Sequence, residues 1–127
     1  MLFRSIEKNP NSILALVAKD QGHVSARTAF NAMRAGDSLA KGVVEKYIEY
    51  LACGITNVIN IFQPDVLCIG GGICNEGEPL LAPLRELVCN EVYSKHSANQ
   101  TKLVAATLGN DAGLIGAALL GKCDMRA

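Results

Sequence analysis

The sequence predicts a helix-rich α/β fold with about two parallel strands, and three observations favour this class. The first is an uncharged apolar run at residues 66–70, which is typical of a strand buried on both faces of a parallel sheet. The second is another short apolar segment, at residues 103–107. The third is that most other segments show helical spacing of apolar residues, with capping residues at their starts.

Three short helices are predicted at the start of the chain. Residues 2–7 form the end of the first helix. Ser12 is placed to cap a helix over residues 13–19, and Ser25 is placed to cap another over residues 26–35. A serine at such a position accepts a hydrogen bond from a free N–H group of the first turn. We interpret these helices as a scaffold, because they carry no residues suited to chemistry.

The longest predicted element is a helix over residues 37–62, with Asp37 or Ser38 as its N-cap. Its apolar residues form two neighbouring rows, Leu39-Val43-Tyr47-Leu51-Ile55 and Val44-Ile48-Ala52. From Leu51 onward the charged residues stop, and a helix that is apolar all round is buried in a core or against a partner. We therefore expect the isolated chain to form at least a homodimer through its helices.

A helix follows the first strand, and Pro79 suits its first turn, where a missing N–H group costs nothing. The apolar stripe of this helix consists of Leu80, Leu84, Leu87, Val88 and Val92. After the second strand, a turn containing Asn110 and Asp111 leads into a last helix over residues 112–120. Either of these two residues can act as the N-cap of that helix.

Two strands are fewer than the four to six that sheets usually contain. Two parallel strands joined by a helix would also leave both sheet edges open to other chains. The sequence is therefore interpreted as the C-terminal part of a larger α/β fold, whose other strands come from upstream sequence.

The candidate functional feature is the glycine turn that follows the first strand, formed by Gly70, Gly71 and Gly72. Ligands bind at the carboxyl ends of strands in open α/β sheets. The dinucleotide pattern G-x-G-x-x-G fails because Asn75 occupies its last glycine position, and the P-loop pattern fails because Glu78 stands where lysine is needed. Two interpretations remain: a surface that lies flat against an uncharged group such as adenine or ribose, or a tight turn without a ligand.

Charge and composition restrict the possible partners. The chain has 12 basic and 12 acidic residues, so it lacks the basic excess of a nucleic-acid-binding protein. No apolar stretch approaches the roughly 20 residues of a membrane-spanning helix, and the N-terminus does not resemble a signal peptide. We therefore expect a cytoplasmic protein with neither a nucleic-acid nor a membrane partner.

The cysteines and histidines give no pattern of a metal site. No two cysteines form a C-x-x-C pair, and neither His23 nor His96 lies at ligand spacing from them. Both histidines fall in polar turns, where a solvated side chain is expected rather than a catalytic base. The scattered cysteines fit a reducing compartment; they are Cys53, Cys68, Cys74, Cys89 and Cys123.

Several motifs resemble the C-terminal part of glucokinases of the ROK family, named for repressor, open reading frame and kinase. They include S-A-R-T-A-F at residues 25–30, I-G-G-G at residues 69–72 and L-G-N-D-A-G-L-I-G-A-A at residues 108–118. The resemblance covers residues 25–120, preceded by a helical lead-in at residues 1–24. It implies that the whole chain, residues 1–127, is a C-terminal lobe fragment of an actin-like (ribonuclease H-like) ATPase fold, which binds ATP and sugar between two lobes.

The resemblance also assigns site residues. The adenosine-binding turn of the family falls on Gly70, Gly71, Gly72 and Ile73. The sequence contains no D-x-G-G-T phosphate loop, no E-x-G-H sugar motif, no zinc-binding cysteine cluster and no second phosphate loop. Asn110 and Asp111 do not correspond to the family's Asn-Asp pair that supplies the catalytic base. The resemblance thus implies no catalytic or metal-binding residue in this chain; ATP with Mg²⁺, and the sugar, bind only in the complete enzyme, and the chain alone is expected to be inactive.

Two other functions stay open. One is a sugar-responsive transcription regulator of the same family, although the chain shows neither a helix-turn-helix motif nor a basic patch. The other is a non-catalytic module that associates with itself through its apolar helical surface. The sugar itself cannot be assigned from these residues.

Overall fold

The computed structural model describes residues 2–120, with only the backbone of Asn110. Two 3-10 turns follow the strands: the first at Gly72–Glu76 and the second at Gly109–Asp111. The helices are α1 (Leu2–Lys8), α2 (Ile13–Asp20), α3 (Ala26–Arg34), α4 (Ser38–Phe62), α5 (Glu78–Glu91) and α6 (Ala112–Leu120), and the strands are β1 (Val66–Ile69) and β2 (Lys102–Ala105).

The buried carboxylate of Asp37 joins the starts of two helices. As the N-cap of α4, its Oδ1 accepts hydrogen bonds from the backbone N–H groups of Leu39 at 2.8 Å and Ala40 at 3.3 Å. Its Oδ2 accepts from the N–H group of Leu14, the second residue of α2, at 2.7 Å. The predicted cap of α4 is thus confirmed, and the same side chain also fixes α2 against α4.

Helix α4 is the centre of the helical layer and packs against α3 on one side and α5 on the other. Of the two predicted apolar rows, the row that begins at Val44 is fully buried, whereas the row that begins at Leu39 is mostly half-buried. The fully buried large side chains around it are Phe30 of α3, Leu14 of α2, and Leu80 and Leu84 of α5. The predicted stripe of α5 is therefore confirmed as part of this core.

The second half of α4 differs from the first. Ile61 and Phe62 are 72% and 73% exposed, and Tyr50 and Val58 are also exposed on this part of the helix. The apolar residues that follow Leu51 are thus only partly covered by the described residues. The expected pairing of two chains through this surface stays a prediction.

The sheet consists of β1 and β2, which run parallel, with Leu67 opposite Leu103 in the register. These two leucines face the helical core. On the other face, Val66 is 53% exposed and Cys68 is exposed as well. The prediction that the first strand is buried on both faces is therefore wrong, because among residues 2–120 the core covers one face of the sheet only.

Helix α6 follows the second 3-10 turn and has no buried residue, although it is composed of Gly, Ala, Leu and Ile alone. Its Leu114 and Leu120 are among the most exposed apolar side chains of the described chain. Within residues 2–120, no helix is long and apolar enough to cross a bilayer.

The role of Asp37 can be tested by urea unfolding of single variants. We expect Asp37→Ala to lower the free energy of unfolding by about 2–4 kcal/mol, because a cap and a hydrogen bond from a second helix are lost together. Asp37→Asn should lose less, since its amide oxygen still accepts. The matched control is Ser12→Ala, which removes a single bond to Ala15 and should cost about 1 kcal/mol. Equal losses for Asp37→Ala and Ser12→Ala would contradict the double role.

Candidate functional site

The glycine turn lies at the carboxyl end of β1, and its central residue has a backbone that only glycine adopts easily. Gly71 has φ +92° and ψ 174°. A residue with a Cβ is strained in this region by about 1–3 kcal/mol. Gly77, with φ +68°, closes the loop at the start of α5 in a similar way. For Gly71, the interpretation as a tight turn is therefore sufficient to explain the glycine.

Its two neighbours are different. Neither Gly70 nor Gly72 has a positive φ, and Gly72 begins the first 3-10 turn. A Cβ built on either residue would meet no atom within 4 Å. Neither the backbone conformation nor the packing of the described chain thus requires glycine at these two positions. The surface they form is open, and a planar group could lie directly against it.

Hydrogen bonds hold this turn on the end of the sheet. The carbonyl of Ile69 accepts from the backbone N–H of Ala106 at 2.8 Å, and the thiol of Cys74 donates to the same carbonyl at 3.0 Å. The N–H of Cys74 donates to the carbonyl of Gly71 at 3.1 Å. Ile73, the last of the predicted site residues, packs its half-buried side chain against the core. Ile73 therefore anchors the turn through its side chain.

An ion pair whose carboxylate is buried lies in the same loop. Glu76 is the last residue of the first 3-10 turn, and its side chain is only 4% exposed. Its carboxylate pairs with the guanidinium of Arg34, the last residue of α3. Sequence reasoning missed both residues. The two residues lie 42 positions apart in the sequence, so no periodic pattern links them. The available signal was Glu76 itself, a charged residue in a glycine-rich loop.

The loop after β2 comes to the same edge of the sheet. The first and second 3-10 turns contact each other, as expected for segments that follow neighbouring parallel strands. Gly109 has φ +53°, and Asp111 is exposed. This edge of the sheet thus carries an open glycine surface and, near it, the exposed carboxylate of Asp111.

An apolar cavity of about 300 Å³ is formed by α1, α3 and α4 and is lined by Phe30, Val43, Tyr47 and Tyr50 among others. Burial raises the pKa of the Tyr47 hydroxyl, and the nearby Cys74 thiol raises it further. The phenol of Tyr47 therefore stays protonated at neutral pH. In residues 2–120, no group of three or more His, Cys, Asp or Glu side chains is placed to hold a metal ion. Cys123 lies outside the described residues.

The fold is shared with a solved structure. The crystal structure of a candidate sugar kinase from Cytophaga hutchinsonii superimposes with a TM-score of 0.65 at 21% identity, over 88% of this chain and 41% of that one. This likeness confirms the predicted fold class, part of an α/β actin-like kinase fold with two parallel strands.

The chain belongs to the ROK family, whose sequence profile matches residues 9–123. It is 36% identical over 118 residues to the glucokinase of Halalkalibacterium halodurans, and this alignment covers 92% of this chain and 35% of that enzyme. It is 34% identical over 116 residues to the glucokinase of Thermotoga maritima, with 91% of this chain and 36% of that enzyme covered. The chain thus spans about a third of the length of these relatives.

The different roles of the glycines can be separated by stability measurements. Gly71→Ala should lower the free energy of unfolding by about 1–3 kcal/mol, because alanine is strained at its positive φ. Gly72→Ala should change it by less than about 1 kcal/mol, since alanine fits the backbone there and reduces the entropy of the unfolded chain. Chemical unfolding of the two variants checks this. A similar loss for both would mean that the open surface is a structural requirement after all.

Proposed function

We propose that this chain is the nucleotide-side, C-terminal part of an ATP-dependent hexose kinase, and that the turn of Gly70, Gly71 and Gly72 is the surface on which adenosine lies. The observation that carries the proposal is the pair Gly70 and Gly72, which are glycines without a structural need within the described chain. They stand at the carboxyl end of a parallel strand, where α/β folds bind ligands. Family membership supports a sugar kinase, and the glucokinase relatives support glucose as the sugar.

The turn fits an adenosine group better than a phosphate group. The turn itself contains no lysine or arginine, and the two arginines near it are already paired, Arg34 with Glu76 and Arg85 with Glu78. An open surface without side chains suits the face of a purine or the edge of a ribose. Gly71 supplies the change of chain direction that makes this surface accessible.

The remaining parts of the reaction are proposed to come from outside this chain. ATP with Mg²⁺ donates a phosphoryl group, and such enzymes depend on positioned phosphate-binding groups, the metal ion and a base that accepts the proton of the sugar hydroxyl. We assign those roles, together with all contacts to the sugar, to the two thirds of the kinase fold that this chain does not span. The chain alone is therefore proposed to bind nucleotide without transferring phosphate, and the complete enzyme to act in cytoplasmic sugar metabolism at the entry to glycolysis.

One observation favours a second role, self-association. The exposed apolar side chains on the second half of α4, namely Tyr50, Val58, Ile61 and Phe62, form a surface that would be covered in a homodimer. This role is compatible with nucleotide binding in the complete kinase. As the sole function of the chain, it would leave the glycine turn without a ligand, so nucleotide affinity separates the two proposals.

Calorimetric titration of the chain with adenosine and with ATP tests the nucleotide proposal. We expect both to bind with similar affinity, because this chain offers no donors to the phosphates. Gly72→Leu should weaken adenosine binding at least about tenfold, equivalent to about 1.4 kcal/mol, since the new side chain would occupy the surface. Gly42→Leu is the matched control, because Gly42 is an exposed glycine of α4 with equally open surroundings.

Unchanged adenosine affinity in a Gly72→Leu variant with a native unfolding midpoint would refute the proposed surface. Markedly tighter binding of ATP than of adenosine would show instead that this chain holds phosphate-binding groups. Loss of binding in Gly42→Leu as well would point to a general effect of the substitution.

A further inference from the structure

The loop from Gly70 to Gly77 has few interactions that fix its position. Its backbone bonds are mostly local, such as those from Cys74 N–H to the Gly71 carbonyl and from Gly77 N–H to the Cys74 carbonyl. It bends at two residues with positive φ, Gly71 and Gly77. The only charged side chain in it is that of Glu76, which is also its most buried residue. The burial of this carboxylate, together with the packing of Ile73 against the core, therefore ties the loop to the rest of the molecule.

The partner of this carboxylate belongs to a rigid part of the fold. Arg34 ends α3, and the same helix carries Thr28 and Phe30, which are fully buried. One guanidinium nitrogen of Arg34 donates to Glu76, and the other donates to Oδ1 of Asn31 at 2.9 Å. The guanidinium is thus oriented from both sides. Through it, the loop is positioned relative to the helical core as well as to β1.

The two side chains differ in exposure, and this difference determines which of them disturbs the loop when it is removed. The side chain of Arg34 is 46% exposed, whereas that of Glu76 is 4% exposed. Without Glu76, the arginine remains solvated at little cost. Without Arg34, a carboxylate is left buried and uncompensated, which is strongly unfavourable. The loop can relieve this by moving so that Glu76 reaches water.

We propose that Arg34 is a positioning residue for the adenosine surface: by compensating the buried charge of Glu76, it holds the loop in the form in which Gly70 and Gly72 lie open and flat. This proposal rests on the nucleotide-binding function proposed above. When only a fraction of the molecules has the competent loop, the apparent affinity for the ligand falls by that fraction. Arg34 would thus control nucleotide affinity without touching the nucleotide.

The thiol of Cys74 reports on the loop directly, without any ligand. It is half-buried and donates to the carbonyl of Ile69 when the loop is in place. We expect Arg34→Met to raise the rate at which iodoacetamide alkylates this thiol about tenfold. The effect is moderate because Arg34 itself is half-exposed, although the charge that it compensates is buried. Arg34→Lys should stay close to the unaltered chain. The exposed thiol of Cys53 on α4 serves as internal standard, with rates read for each peptide by mass spectrometry.

The double variant distinguishes positioning by charge from simple packing. Glu76→Gln alone should have little effect, and Arg34→Met combined with Glu76→Gln should restore slow alkylation of Cys74, because no buried charge is left. If Arg34 acts only by filling space, the double variant will react as fast as Arg34→Met. Urea unfolding midpoints of all variants show whether faster alkylation reflects the loop or the whole fold.

Adenosine titration completes the experiment. Arg34→Met should bind adenosine about tenfold more weakly, and the double variant should recover. Equal affinity of Arg34→Met and the unaltered chain, or equal alkylation of Cys74 in both, would overturn the positioning role. Failure of the unaltered chain to bind adenosine would instead overturn the proposed function, while the alkylation rates would still decide whether Arg34 holds the loop.

Discussion

The arrangement of the molecule depends on where α4 begins, and the buried carboxylate of Asp37 fixes that point. It accepts hydrogen bonds from the first turns of both α2 and α4, so that the two helices start from a common position. From there α4 runs for 25 residues, about 38 Å at 1.5 Å per residue. It ends at Gln63, which adopts a left-handed conformation and turns the chain directly into β1. The position of the glycine turn is thus set by this helix and by the short strand that follows it.

The glycine turn shows why a run of glycines cannot be interpreted from sequence alone. A sequence indicates that glycine is present, but not whether the backbone or a neighbouring molecule requires it. In this fold the two requirements fall on different residues. Gly71 is required by its positive φ, whereas Gly70 and Gly72 have ordinary backbone conformations and no neighbouring atoms where a side chain would be. The nucleotide proposal therefore depends on the outer two glycines. A substitution at Gly71 would strain the backbone and cover the surface at once, so a loss of binding could not be assigned to either cause.

Much of the fold followed from local patterns. The caps at Ser12 and Asp37 and the buried stripe of α5 depend on residues close together in the chain, and each was correctly predicted. The error at β1 has a different origin. Apolar composition shows that a strand tends to be buried on both faces, but not whether the covering elements are present in the same chain. The pair of Arg34 and Glu76 escaped prediction because it depends on how α3 packs against a distant loop.

Residue-resolved NMR gives the most direct test of the adenosine surface. We expect titration of the isotope-labelled chain with adenosine to shift the backbone amide signals of Gly70, Gly71, Gly72 and Ile73 together, with one common affinity. Signals from Gln63 and Asp65, at the opposite, amino end of β1, should stay unchanged. Shifts confined to residues that line the apolar cavity beside Tyr47, or no shifts in the glycine turn at saturating adenosine, would contradict a nucleotide site at the end of β1.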